Sequence, residues 1–205
     1  MKRLDPLARR RALWLAVALA ALFVVMAWLV GGPLVTALDH AARRLIREGR
    51  MLALERPMRT ISTLGSGDVL FPVLFACSAV LWWRGRRALA LWLPAAGVAT
   101  SATLALAKWV VDAPRPTLRA YGFPSGHVYG ATVFVIVGVY LLWAFAAPRR
   151  VQWTARVAGA AFVTAVGYSR IFVNAHWLSD VVGGLVAGCA FALGVVLLLD
   201  RRLER

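Results

Sequence analysis

Hydrophobic positions along this chain fall into long runs broken by short, mostly basic, polar stretches. After Arg11 no charge appears until Asp39, so Ala12 to about Gly31 reads as a membrane span closed by Gly31-Gly32-Pro33. The run is long for the apolar centre of a cleaved signal, and no small-x-small site follows it. Further spans are expected at about Ser66–Trp83, Ala88–Ala107, His127–Ala147, Trp153–Val173 and Trp177–Leu199. From Leu34 to Glu55 the pattern changes: Leu34, Leu38, Ala42, Leu45, Ile46 and Leu52 recur near helical spacing among Arg43, Arg44, Arg47, Glu48 and Arg50. That pattern predicts an amphipathic helix lying in the interface and ending near Pro57. Gly184 and Gly188 form a GxxxG pair that lets the last helix approach a neighbour closely. The expected architecture is all-α: a polytopic membrane protein with six transmembrane helices and an amphipathic interfacial helix between the first and second.

Composition supports the membrane reading. The chain has 205 residues, 61% of them hydrophobic and 16% charged, with a mean hydropathy of +0.71. About six spans of roughly 20 residues fill that length, so residues 1–205 are expected to form one integral membrane domain. The net charge of +15 would point to nucleic acid in a soluble protein. Here basic residues gather at span ends, where anionic lipid and the positive-inside bias explain them, and no nucleic-acid partner is expected. Cys77 and Cys189 lie in apolar segments with no Cys or His cluster, and read as small packing residues.

Charge also chooses an orientation. The N-terminal tail, the turn Arg84-Gly85-Arg86-Arg87, the turn Pro148-Arg149-Arg150 with Arg156, and the C-terminus through Arg205 hold 14 of the 24 Lys and Arg. The opposite side holds the arginines around the amphipathic segment, Arg119, and Lys108, Arg115 and Arg170. Both termini are therefore expected in the cytoplasm. Trp28, Trp109 and Trp177 then mark outer span ends, and Trp14, Trp82, Trp83, Trp143 and Trp153 inner ones.

Three polar clusters fall on that outer side. In Ser169-Arg170-Ile171-Phe172-Val173-Asn174-Ala175-His176-Trp177-Leu178-Ser179-Asp180, a helix from His176 onward would set Asp180 one turn away on the same face, able to orient the imidazole and leave its other nitrogen free to attack. Arg170 would offer forked donors to an anion. The same residues also fit an ion pair in a short loop between spans. Pro124-Ser125-Gly126-His127 fits a helix start with Ser125 as N-cap, and equally an anion site on exposed backbone N–H groups. Lys108 and Arg115 fit either snorkelling cations or phosphate ligands. His40, alone beside Asp39, reads as a surface residue.

Taken together, Lys108-x6-Arg115-Pro116, Pro124-Ser125-Gly126-His127 and Ser169-Arg170-x5-His176-x3-Asp180 resemble the complete three-part signature of the type 2 phosphatidic acid phosphatase superfamily, a group related to vanadium haloperoxidases. The motif-bearing core is residues 108–180. The resemblance implies that His176 is the nucleophile, that Asp180 orients it, and that His127 protonates the leaving group and then activates water. Lys108, Arg115, Ser125, Gly126 and Arg170 would hold the phosphoryl oxygens. No metal and no other cofactor is implied. The expected activity is hydrolysis of a lipid phosphate or diphosphate through a phosphohistidine, with undecaprenyl diphosphate first and phosphatidylglycerol phosphate and phosphatidate as alternatives. Transfer of the phosphate to an acceptor other than water is the second reading, and a non-catalytic lipid-binding or transport role the third. The expected partners are the lipid phosphate and membrane lipids, and the expected location is a bacterial cytoplasmic (inner) membrane with the site on the outer, periplasmic face.

Overall fold

The computed structural model describes residues 1–49, 51–117 and 121–202. Arg50, Arg119 and Arg205 of the charge count lie outside them. Among the described residues, eight α-helices and one short 3-10 turn make up the regular structure, and no strand occurs. In chain order the helices are α1 (Pro6–Leu29), α2 (Pro33–Glu48), α3 (Glu55–Leu64), α4 (Gly67–Trp83), α5 (Arg87–Val111), α6 (Gly126–Ala144), α7 (Arg149–Phe172) and α8 (Leu178–Arg202).

Local chemistry moves several ends away from the expected positions. α1 begins before Ala12, because Asp5 caps it through Ala8 N at 2.7 Å and Pro6 occupies the first turn. The amphipathic segment is two helices joined by a 3-10 turn, not one, since Gly49 ends α2. Pro57 does not stop a helix. It sits in the first turn of α3, where its missing N–H is no loss. α5 runs one turn past Ala107, so Lys108 lies on its last turn.

Among the described residues, four helices are long and apolar enough to cross a membrane, namely α1, α5, α6 and α8. The segment Leu52–Leu64 with α4, bent by 45° at the break, makes a fifth if the two helices together form one span. α7 is 24 residues long but carries Arg149, Arg150, Gln152 and Arg156 in its first half and Arg170 in its last turn.

α8 is the centre, packed by α1 on one side and α6 on another, while α7 covers α6, α3 rests on α7, and α4 pairs with α5. One apolar cluster joins α5, α6 and α8 through Leu93, Val133, Tyr140, Val196 and Leu199, and a smaller one joins α6 and α7 through Val128, Ala131, Val163 and Val166. The GxxxG pair works as expected. A Cβ at Gly184 would stand 2.6 Å from the Ser125 carbonyl oxygen, and one at Gly188 2.8 Å from Thr132. Only glycine lets α8 lie this close to the start of α6.

Candidate active site

The close approach brings two of the three clusters together. Ser125 N donates to the Asp180 carbonyl at 2.8 Å, fastening the start of α6 to the first turn of α8. Phe123, fully buried, stacks on Phe23 of α1 with ring centroids 5.4 Å apart and leans against Gly183. Gly122 ties the loop back by donating to the Ala113 carbonyl at 2.6 Å, and a Cβ there would strike the carbonyls of Ala113 and Pro114.

His176 and Asp180 meet, though not on a helical face. α8 starts at Leu178, so His176 lies in the turn before it. Asp180 instead folds back within the first turn: one oxygen, Oδ2, lies 3.0 Å from His176 Nδ1 and accepts from Trp177 N at 3.0 Å. This is the capping-box geometry, in which an acid three residues into a helix satisfies an orphan N–H before it. The cap fixes the carboxylate, and the carboxylate fixes the ring, leaving Nε2 as the free nitrogen. His176 is 3% exposed and Asp180 0%. Burial pushes the His176 imidazole below the ordinary histidine range, and Asp180 pulls it back only in part.

Three buried polar atoms around this pair have no partner among the described residues: Ser125 Oγ, Asp180 Oδ1 and Arg170 Nε. Ser125 occupies the N-cap position of α6 but makes no side-chain cap bond. Buried polar groups are nearly always paired, so three orphans in one place mark a site built for a polar ligand. His127 follows on the first turn of α6, within electrostatic range of Arg170, His176, Arg115 and Lys108. Lys108 Nζ donates to the Tyr121 carbonyl at 2.8 Å, and Arg115 donates to the same oxygen from Nε and Nη2 at 3.2 and 3.1 Å. The Arg170 guanidinium bonds Ser62 Oγ of α3. All eight residues named from the motifs therefore converge at one end of the bundle.

Several residues around the site carried no motif. Asp39 of α2, 7% exposed, accepts from Ser179 N at 2.8 Å and Ser179 Oγ at 2.6 Å. Trp177 cannot cap α8 with its own side chain, and Asp39 supplies that acceptor from another helix. Arg43 donates to Asn174 Oδ1 at 2.7 Å and lies 5.8 Å over the Trp177 ring, which His40 meets edge-on. Trp177 Nε1 donates to the Pro114 carbonyl at 3.1 Å. Trp177 is thus a scaffold joining α2, the Arg115 loop and His176, and His40 packs on it. The only hint in the sequence was an acid on the polar side of an amphipathic helix.

A groove of about 310 Å³ opens beside His127 and runs between α4, α5 and α6 along Leu70, Phe71, Leu104, Tyr129 and Val133 to Leu141. Cys77 faces it and is exposed, whereas Cys189 is half-buried; both are free.

Residues 89–204 match the sequence pattern of the PAP2 superfamily. This chain belongs to that superfamily. The match runs from early in α5 to the end of α8 and contains every motif residue, so the chain is a PAP2-type phosphatase. It is 24% identical over 192 residues to phosphatidylglycerophosphatase B of Bacillus subtilis (strain 168), covering 88% of this chain and 90% of that one. The crystal structure of a transmembrane PAP2 type phosphatidylglycerolphosphate phosphatase from Bacillus subtilis superposes with a TM-score of 0.80 at 20% identity, over 92% of this chain and 95% of its own. LpxE of Aquifex aeolicus superposes with a TM-score of 0.57 at 21% identity, over 79% and 93%. The PAP2 fold is shared with both, and with its apolar helices it makes this an integral membrane protein.

Proposed function

We propose that this PAP2 chain removes phosphate from a lipid phosphate or diphosphate through a phosphohistidine, without a metal. The carrying observation is the buried His176–Asp180 pair, ringed by orphaned polar atoms and placed beside a histidine that opens onto an apolar groove. An amphiphile suits that neighbourhood, its phosphate among Lys108, Arg115, Ser125, the Gly126 N–H and Arg170, and its chain along the groove.

Nε2 of neutral His176 attacks phosphorus, and the bond from phosphorus to the lipid oxygen breaks. Protonated His127 gives its proton to that oxygen. Asp180 stabilises the positive charge that forms on the ring. Water then attacks the phosphohistidine while neutral His127 takes its proton; the P–N bond breaks, phosphate leaves, and both histidines return to their first state. The cations meet charge on the equatorial oxygens throughout.

Six helices, α1 and α4 to α8, cross the bilayer in this reading, α7 with its basic first turns at the head groups and Arg170 at the site. Both termini are cytoplasmic, and the site faces the periplasm of a bacterial inner membrane. Both Bacillus subtilis relatives are named for phosphatidylglycerol phosphate, which joins undecaprenyl diphosphate and phosphatidate in the test panel.

Phosphate release by the purified chain should proceed in EDTA with at least one of these lipids and fail for His176→Ala. Activity silenced by EDTA and restored by magnesium would overturn the metal-free reading, and turnover retained by His176→Ala would overturn the phosphohistidine.

A further inference from the structure

The bundle carries a second cavity at its other end, and the phosphatase chemistry does not use it. Its volume is about 530 Å³, between the first turns of α1 and the last turns of α8. Arg3, Arg9, Arg10 and Arg201 line it together with Leu13 and Leu197, and no acidic side chain is among the described residues that line it.

The wall is preorganised. Asp200, fully buried, accepts from Leu4 N at 3.0 Å, from Arg9 Nη2 at 2.7 Å and from the Tyr140 hydroxyl at 2.8 Å. Lys2 N donates to the Ala144 carbonyl at 2.7 Å. These bonds hold the first residues of the chain onto α6 and α8, so Arg3 and Arg9 belong to a fixed surface and not to a loose tail. Asp200 holds Arg9, and Arg3, Arg10 and Arg201 bring three more guanidinium groups to the same wall.

Its level in the membrane follows from α8. Asp180 and Asp200 are separated by about 30 Å at 1.5 Å per residue, one hydrocarbon thickness. The cavity therefore sits at the head groups of the leaflet opposite His176. Forked cationic donors fit the oxygens of a phosphate ester, and a basic pocket between membrane helices is the setting in which anionic head groups are held. Leu13 and Leu197 add an apolar side that a free phosphate ion has no use for.

We infer that this cavity binds the head group of an anionic phospholipid from the leaflet opposite the substrate site. The arginines take the phosphodiester oxygens, and the leucines meet the glycerol and the first methylenes. The inference rests on the membrane placement of α8 and is independent of the phosphohistidine chemistry.

The test is native mass spectrometry of the full chain in neutral detergent, with phosphatidylglycerol, phosphatidylcholine or inorganic phosphate added. The chain should retain one phosphatidylglycerol under conditions that strip phosphatidylcholine. The triple variant Arg3→Ala/Arg10→Ala/Arg201→Ala, which spares the Arg9–Asp200 anchor, should bind it at least tenfold more weakly and still hydrolyse a soluble aryl phosphate at the unchanged rate. Equal retention of the two lipids, or equal affinity in the variant, would overturn the proposal. Displacement of the lipid by inorganic phosphate at matched concentration would assign the pocket to the free ion and overturn it as well. A head-group photoactivatable phosphatidylglycerol tests the unmodified chain independently: crosslinks within residues 3–13 or 197–201 support the site, and crosslinks only elsewhere refute it.

Discussion

Asp180 commits one oxygen to His176 and Trp177 and leaves the other without a partner among the described residues, while His127 lines the groove. In the proposed mechanism those surroundings give the two histidines different steps. His176→Ala should form no phosphoenzyme with any substrate. His127→Ala should still be phosphorylated by an activated aryl phosphate, whose leaving group needs little protonation, and should then stall with an acid-labile phosphohistidine. Rapid quench with labelled substrate separates the cases, and label trapped on His176→Ala would reverse the roles. A second expectation concerns pH. Burial lowers the His176 pKa and Asp180 raises it, with burial ahead, so the ring stays neutral, as the proposed attack requires, at pH values that protonate a free imidazole. Asp180→Asn removes the raising influence, and the titration midpoint of His176 should move further down. The chain has three histidines, so NMR of ring-labelled protein with His40 and His127 substituted follows His176 directly. An upward shift would show that Asp180 does not face the ring as a carboxylate.

At the scale of elements, α2 and α8 carry the site together. The amphipathic pattern of α2 was plain in the sequence, but its work is done by Asp39, which caps α8 from outside, and by Arg43, which holds Asn174. Arg43 is therefore a structural contact and not one of a row of equivalent surface cations. A lost helix cap costs about 1 kcal/mol, and here the loss falls on the turn that carries His176, the proposed nucleophile. Asp39→Ala should lower kcat by about fivefold, the equivalent of that energy at the transition state, with a small change in KM. Steady-state kinetics in mixed micelles check this; a rise in KM at constant kcat would mean that α2 serves substrate binding instead. Burial also raises the Asp39 carboxyl above its usual range, against the pull of two Ser179 bonds, which fits a carboxylate enclosed between two helices.

For the whole molecule, the buried Asp200 network and the His176–Asp180 pair lie at opposite ends of α8, so one helix spans from the basic face to the candidate site. A reporter active only outside the cytoplasm should be silent when fused after Arg202 and active when inserted next to Thr117, and the reverse pattern would invert the topology. The sequence alone determined the class of the fold, the apolar helices and the three motifs, because hydrophobic length, charge at span ends and short linear spacings are local quantities. It also determined that Gly184 and Gly188 admit a close neighbour. It did not determine which neighbour, that α2 ends at Gly49, that Pro57 starts a helix, or that Asp180 reaches His176 by folding back over a helix start. Nor did it show Asp39 capping α8 or Asp200 anchoring the chain's first residues. Those contacts join residues 140 and 196 positions apart. Burial and long-range pairing exist only once helices pack, and packing decided which of many similar charged side chains became buried partners and which stayed at the membrane surface.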